Sequence, residues 1–167
     1  MQIHGSISQF PKEVKGLIVA FIICLSIGFY AGIRFVNDTS NSNPQGIEER
    51  YLGNESDENA TVMKFKKSRG EVMTMVHNHI LSLSVIFFLL GGLVATTGIN
   101  KKLKSFLMIE PFVSILCTFG GIYFMWTGIL WMKYVIMVSG ILMTIAFTLS
   151  VFFILKGVFK TTSDLRA

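Results

Sequence analysis

Four long apolar runs separated by polar intervals dominate the chain: residues 16–36, 75–97, 111–130 and 134–155. Each is close to the ~20 residues a helix needs to cross a hydrocarbon layer about 30 Å thick. Arg34 is the one charge in the first run and lies near its end; the other three runs carry none. The pattern predicts an all-α integral membrane protein, a four-helix transmembrane bundle with one polar outer loop. Lys12 and Lys15 precede the first run in the manner of a signal peptide. The run is longer than a typical signal core, however, and no A-x-A-like cleavage site follows it. It is expected to stay as a span.

Basic residues orient the bundle. With alternating spans, Lys12 and Lys15, the Lys101/Lys102/Lys104 turn and the Lys156/Lys160/Arg166 tail share one side, which the positive-inside rule makes cytoplasmic. The result is N-in and C-in: cytoplasmic segment 1–15, outer loop 37–74, cytoplasmic turn 98–110, outer turn 131–133 and cytoplasmic tail 156–167. Lys64, Lys66, Lys67 and Arg69 in the outer loop work against this orientation, because they also lie close to a span. Within that loop, 37–59 reads as irregular around a Pro44-Gln45-Gly46 turn. The basic stretch 60–69, with Met63 and Phe65 interleaved, reads as a segment lying on the membrane surface. Asn37-Asp38-Thr39, Asn54-Glu55-Ser56 and Asn59-Ala60-Thr61 match the glycosylation triplet, which matters only in a eukaryotic secretory setting. Glu110-Pro111 predicts the start of the third helix, with the carboxylate complementing the helix dipole. A proton-relay role for Glu110 is the alternative.

Small residues mark where helices approach. Gly16, Ala20, Cys24, Gly28 and Gly32 recur at every fourth position of the first run, a small-xxx-small ridge. Ser84, Gly91 and Ala95 give the second run such a face, and Ser114, Cys117, Gly121 and Gly128 the third. Gly140, Thr144 and Thr148 serve the fourth. Cys24 and Cys117 fall inside spans, so they are expected as small buried residues at helix contacts rather than in an extracellular disulfide, and their similar depth allows a contact between the first and third helices. The partners implied are the lipid bilayer and either further copies of the chain or a larger membrane complex. A bacterial cytoplasmic membrane is the expected location.

Composition narrows the function classes. Hydrophobic residues make up 51% of the 167 residues, and the mean hydropathy of +0.59 is too apolar for an ordinary soluble domain. The formal charge of +5 is spread over span ends, not gathered into a patch, which argues against nucleic acid. No G-x-S-x-G, phosphate-binding glycine loop or H-E-x-x-H occurs, so a hydrolase reading has no support.

One stretch carries candidate ligand chemistry: Met73-Thr74-Met75-Val76-His77-Asn78-His79, at the mouth of the second span. On a helix His77 and His79 point roughly 200° apart, leaving Glu71, Met75 and His79 on one stripe and Met73 and His77 on another. In extended backbone Met73, Met75, His77 and His79 would converge, a thioether and imidazole set suited to copper. Glu71 and Asn78 would then orient the ligands. Haem b is the second candidate, with a methionine or a second copy supplying the other axial ligand, since His4 lies on the opposite side. The function expected is a small non-catalytic membrane subunit or accessory protein. It would carry a metal or haem site at the outer face, for metal handling or electron transfer. The alternative is an assembly subunit that docks through the ridge of the first helix into a larger complex.

Overall fold

The computed structural model describes residues 6–55 and 60–160. His4, Ser56, Asp57, Glu58, Asn59 and Arg166 lie outside them, so the second and third glycosylation triplets are each described only in part, as is the basic tail. The described residues form helices α1 (Lys12–Ser40), α2 (Pro44–Leu52), α3 (Arg69–Ala95), α4 (Lys101–Ile115), α5 (Gly121–Trp126) and α6 (Met132–Phe159), with no strand. A π-helical turn, Leu116–Gly120, joins α4 to α5, so Lys101–Trp126 acts as one span. With α1, α3 and α6 it makes four helices long and apolar enough to cross a membrane. The protein is an all-helical integral membrane protein.

α1 and α6 overrun their apolar runs at both ends, whereas α3 and the third span begin before their runs and stop short of the runs' ends, at Ala95 and Trp126. Asn41 ends α1 in the left-handed region (φ 51°), which asparagine tolerates. Asn43 then caps α2, its side chain accepting from the Gly46 amide at 2.7 Å, with Pro44 in the first turn. The expected irregular turn at Pro44 is thus the start of a helix. A Cβ on Gly46 would sit 2.0 Å from the Ser40 carbonyl oxygen, so this tight α1–α2 corner requires glycine. Asn100 caps α4 by accepting from the Leu103 amide at 2.8 Å. The third span therefore opens at Lys101, and Glu110 lies inside it rather than at its first turn.

The first described residues pack against the α3–α4 turn and the last turns of α6. The Ile7 amide donates to Thr96 O at 3.1 Å, and Ile7 packs on Gly157. Lys104 Nζ closes the same end by donating to Ala95 O and Thr97 O at 3.0 and 2.7 Å. The other end is covered by α2, where Lys133 pairs with Glu48 and Lys64 with Glu49. Arg50 lies over the Phe35 ring at 4.9 Å. Burial pushes the Tyr51 phenol above its usual range, and neighbouring Arg50 offsets part of that.

The core runs between the third span and α6. Thr118 and Ser139 share a hydrogen bond at 2.7 Å, both buried. A Cβ on Gly121 would meet Ile136 Cγ1 at 3.0 Å, which shows how closely the two backbones approach there. Gly91 of α3 similarly faces Met108 at 3.8 Å. Phe29 of α1 stacks on Phe147 of α6 (3.9 Å, 10°) and meets Phe87 of α3 edge-on at 6.3 Å. Gly121→Val is expected to destabilise the bundle by about 1–3 kcal/mol through overpacking. Thr118→Val, which keeps the volume and loses one interhelical bond, should cost about 0.6 kcal/mol. Thermal melting of both variants in mild detergent checks the order.

Candidate functional site

The Met/His stretch is helical throughout. α3 begins on a capping box in which the Glu71 amide donates to Ser68 Oγ at 3.3 Å and the Ser68 amide donates to Glu71 Oε2 at 2.8 Å. Lys67 Nζ donates to the other carboxylate oxygen at 3.1 Å. Both oxygens of Glu71 are thus occupied in starting the helix. The signal for this was present in Ser68-Arg69-Gly70-Glu71 just ahead of an apolar run.

Helical backbone from Arg69 onward separates the candidate ligands. His77 and His79 point about 200° apart, and the extended arrangement that would gather Met73, Met75, His77 and His79 does not occur. Met73 is exposed, whereas Met75 packs partly against the core. Asn78 is exposed, and its carbonyl accepts from Ser82 Oγ at 2.6 Å. Among the described residues no group of three His, Cys, Asp or Glu side chains is placed to hold a metal ion.

His79 is the most constrained member. Its Nδ1 lies 2.8 Å from Met75 O, and its ring stacks on Phe119 at 4.8 Å. A carbonyl only accepts, so Nδ1 carries the hydrogen of this bond and Nε2 is free of it. Phe119 belongs to the π turn, a partner that reading the histidines alone could not identify. Trp126 sits at the same end, its indole N–H donating to Lys67 O at 2.8 Å with Lys66 over its ring at 5.3 Å. Trp131, Tyr134 and Tyr30 are exposed there or along the flank, and Tyr30 Oη shares a hydrogen bond with Thr148.

The small-residue ridge is brought together as a surface, not as a contact. Gly16, Ala20, Cys24, Gly28 and Gly32 are all exposed. α1 instead buries Ile18 and Ile22, with Leu25 and Phe29 packed on the core. These follow helical spacing on the opposite face. A Cβ on Gly16, Gly28 or Gly32 would meet nothing within 4 Å. Cys24 and Cys117 are both free thiols, and Cys24 points outward with the ridge rather than toward the third span. Of the four spans α1 is the least covered, 11% of its most apolar window being buried against 44% for the third span.

A family model described as a transmembrane helical domain matches residues 41–165, which begin directly after α1 and take in the other three spans. No curated protein and no solved structure matches the chain.

If Glu71 serves the helix start, Ser68→Ala and Glu71→Ala should each destabilise the protein by about 1 kcal/mol. The double variant should fall short of their sum, because the two side chains act as one unit. Amide exchange at the first turn of α3 checks this, and additive effects would count against the coupling.

Proposed function

The chain belongs to that family, Aq_1264_TM, and from this premise we propose that it is a non-catalytic membrane subunit that associates with another membrane helix through the outward ridge of α1. The single observation that carries the reading is the direction of the ridge. In lipid, hydrophobic burial does not drive helices together, and small residues act by letting backbones approach. The bundle spends the small residues Gly91 and Gly121 on its own contacts but leaves Gly28 and Gly32 open. The position of α1 ahead of the matched region supports treating it as an attachment to a three-span core.

The partner is either a second copy or a helix of a larger complex, and Cys24 separates the two. It is exposed in the middle of the ridge. In native membranes, mild oxidation should link two copies through Cys24 if the ridge is self-complementary, and Cys24→Ser should abolish the link. The basic termini support placing the common end of the chain on the cytoplasmic side, and a bacterial cytoplasmic membrane is the proposed location.

A second reading keeps a metal or haem role for His79, favoured by its free Nε2. The one-chain set of Met73, Met75, His77 and His79 does not converge, so copper would need ligands from two copies, and haem b a methionine or a histidine of a second copy as its other axial ligand. Under that reading the purified protein carries a Soret band or stoichiometric copper, and His79→Ala removes it. Native material lacking both would end it.

For the favoured reading, Gly28→Leu combined with Gly32→Leu should weaken association by roughly tenfold or more, about 1.4 kcal/mol. Helicity and monomer melting should be unchanged, since neither side chain meets anything in the monomer. Chromatography of the detergent-solubilised complex reads the result, and an unchanged assembly in the double variant rejects the ridge as the contact.

A further inference from the structure

Glu110 is the only charged residue between Lys104 and Lys133. It lies nine residues into a span that opens at Lys101, about 13 Å along the axis of a helix ~39 Å long. That depth falls within a hydrocarbon layer of ~30 Å centred on the span. Oε1 accepts from the Ser114 hydroxyl one turn on. Oε2 is sealed from solvent and has no hydrogen-bond partner among the described residues.

Among the described residues no cation pairs with this carboxyl. The register set by Gly91 beside Met108 and His79 on Phe119 puts Leu89 of α3 at its level. The register set by Thr118 with Ser139 and Gly121 with Ile136 puts Phe147 of α6 there. On α3 the titratable groups are Arg69, Glu71, His77 and His79, all toward the far end, His79 about 15 Å up the axis. On α6 they are Lys133, Tyr134 and Lys156, the last about 13 Å away along the axis. The π turn contributes Cys117. On α4 itself Lys104 is nearest, about 9 Å along the axis, and its ammonium is taken by Ala95 O and Thr97 O. Lys102 lies a further half turn away.

Two local features suit a group that exchanges a proton. Pro111 has no N–H, so the Leu107 carbonyl, one turn before Glu110, lacks its helical partner and offers a fixed acceptor. A carboxylate can only accept hydrogen bonds, whereas a protonated carboxyl also donates. On the lipid side, a groove of about 590 Å³ lined by Lys102, Ser105, Phe106, Ile109 and Val113 reaches Glu110. Phe106, Ile109 and Val113 are exposed, so this approach is open to the hydrocarbon phase.

We infer that Glu110 is a proton-binding site inside the membrane span, a carboxyl that takes up and releases a proton with Ser114 as its fixed hydrogen-bond partner. The site stands apart from the α1 ridge and from His79, and does not depend on either.

The test uses the full chain reconstituted in phosphatidylcholine vesicles. Infrared difference spectra between acid and alkaline buffer should contain a carboxylic C=O band that is lost in Glu110→Gln and shifted in Ser114→Ala. Dicyclohexylcarbodiimide, which partitions into lipid, should modify Glu110. The carboxyl proton passes to a carbodiimide nitrogen, its oxygen adds to the central carbon, and the acyl group migrates to nitrogen as a stable N-acylurea. That adduct should fade as the pH is raised and be missing in Glu110→Gln. A Glu110-dependent band or a Glu110 adduct supports the site. Absence of both, or equal labelling by a water-soluble carbodiimide, overturns it.

Discussion

Backbone polar groups inside a bilayer have no water to turn to, so every interruption of a helix must be met by protein. The third span carries two such interruptions, Pro111 and the π turn Leu116–Gly120. It is also the most buried span, and α6 packs along it where the irregularity lies. Thr118 of the π turn bonds to Ser139, and Gly121 just beyond lets Ile136 close the gap. The π turn also sets Phe119 beneath the His79 ring. The position of α6 and the environment of His79 both follow from this interlock.

α1 joins that core from outside. Its contact is made by bulky side chains, Ile18, Ile22 and Phe29, of which Phe29 enters an aromatic group with Phe147 and Phe87. Large rings provide many dispersion contacts and edge-to-face geometry, which a row of glycines does not. The glycine face gains only when another backbone can come near. One helix therefore carries two opposite faces of different character, one packed within the chain and one left exposed.

Much of the architecture was legible. Four spans follow from apolar length, and membership of a transmembrane helical family agrees with them. The Asn and Ser caps that set the true helix ends were visible but outweighed by hydropathy, which is why α2 and the first nine residues of the third span up to Glu110 read as loop. Lys101, Lys102 and Lys104 look like a turn because they are charged. They are helical because Asn100 starts the helix and long lysine side chains reach back to the interface, as Lys104 does to Ala95 and Thr97. The candidate ligands were legible as residue types. Their divergence depends on backbone conformation, which Ser68 and Glu71 decide.

Sequence by itself determined that this chain lives in a membrane, crosses it four times, and carries a small-residue ridge on its first span and the pair His77 and His79 at the mouth of its second. Those properties depend on residue count, transfer free energy and helical periodicity, all local to a segment. Tertiary structure alone decided which face of α1 turns inward, that Phe119 lies against the His79 ring, and that Glu110 keeps an unpartnered oxygen among the described residues. Each depends on which side chains from distant segments meet, and small residues, carboxylates and imidazoles are compatible with several such meetings until packing selects one.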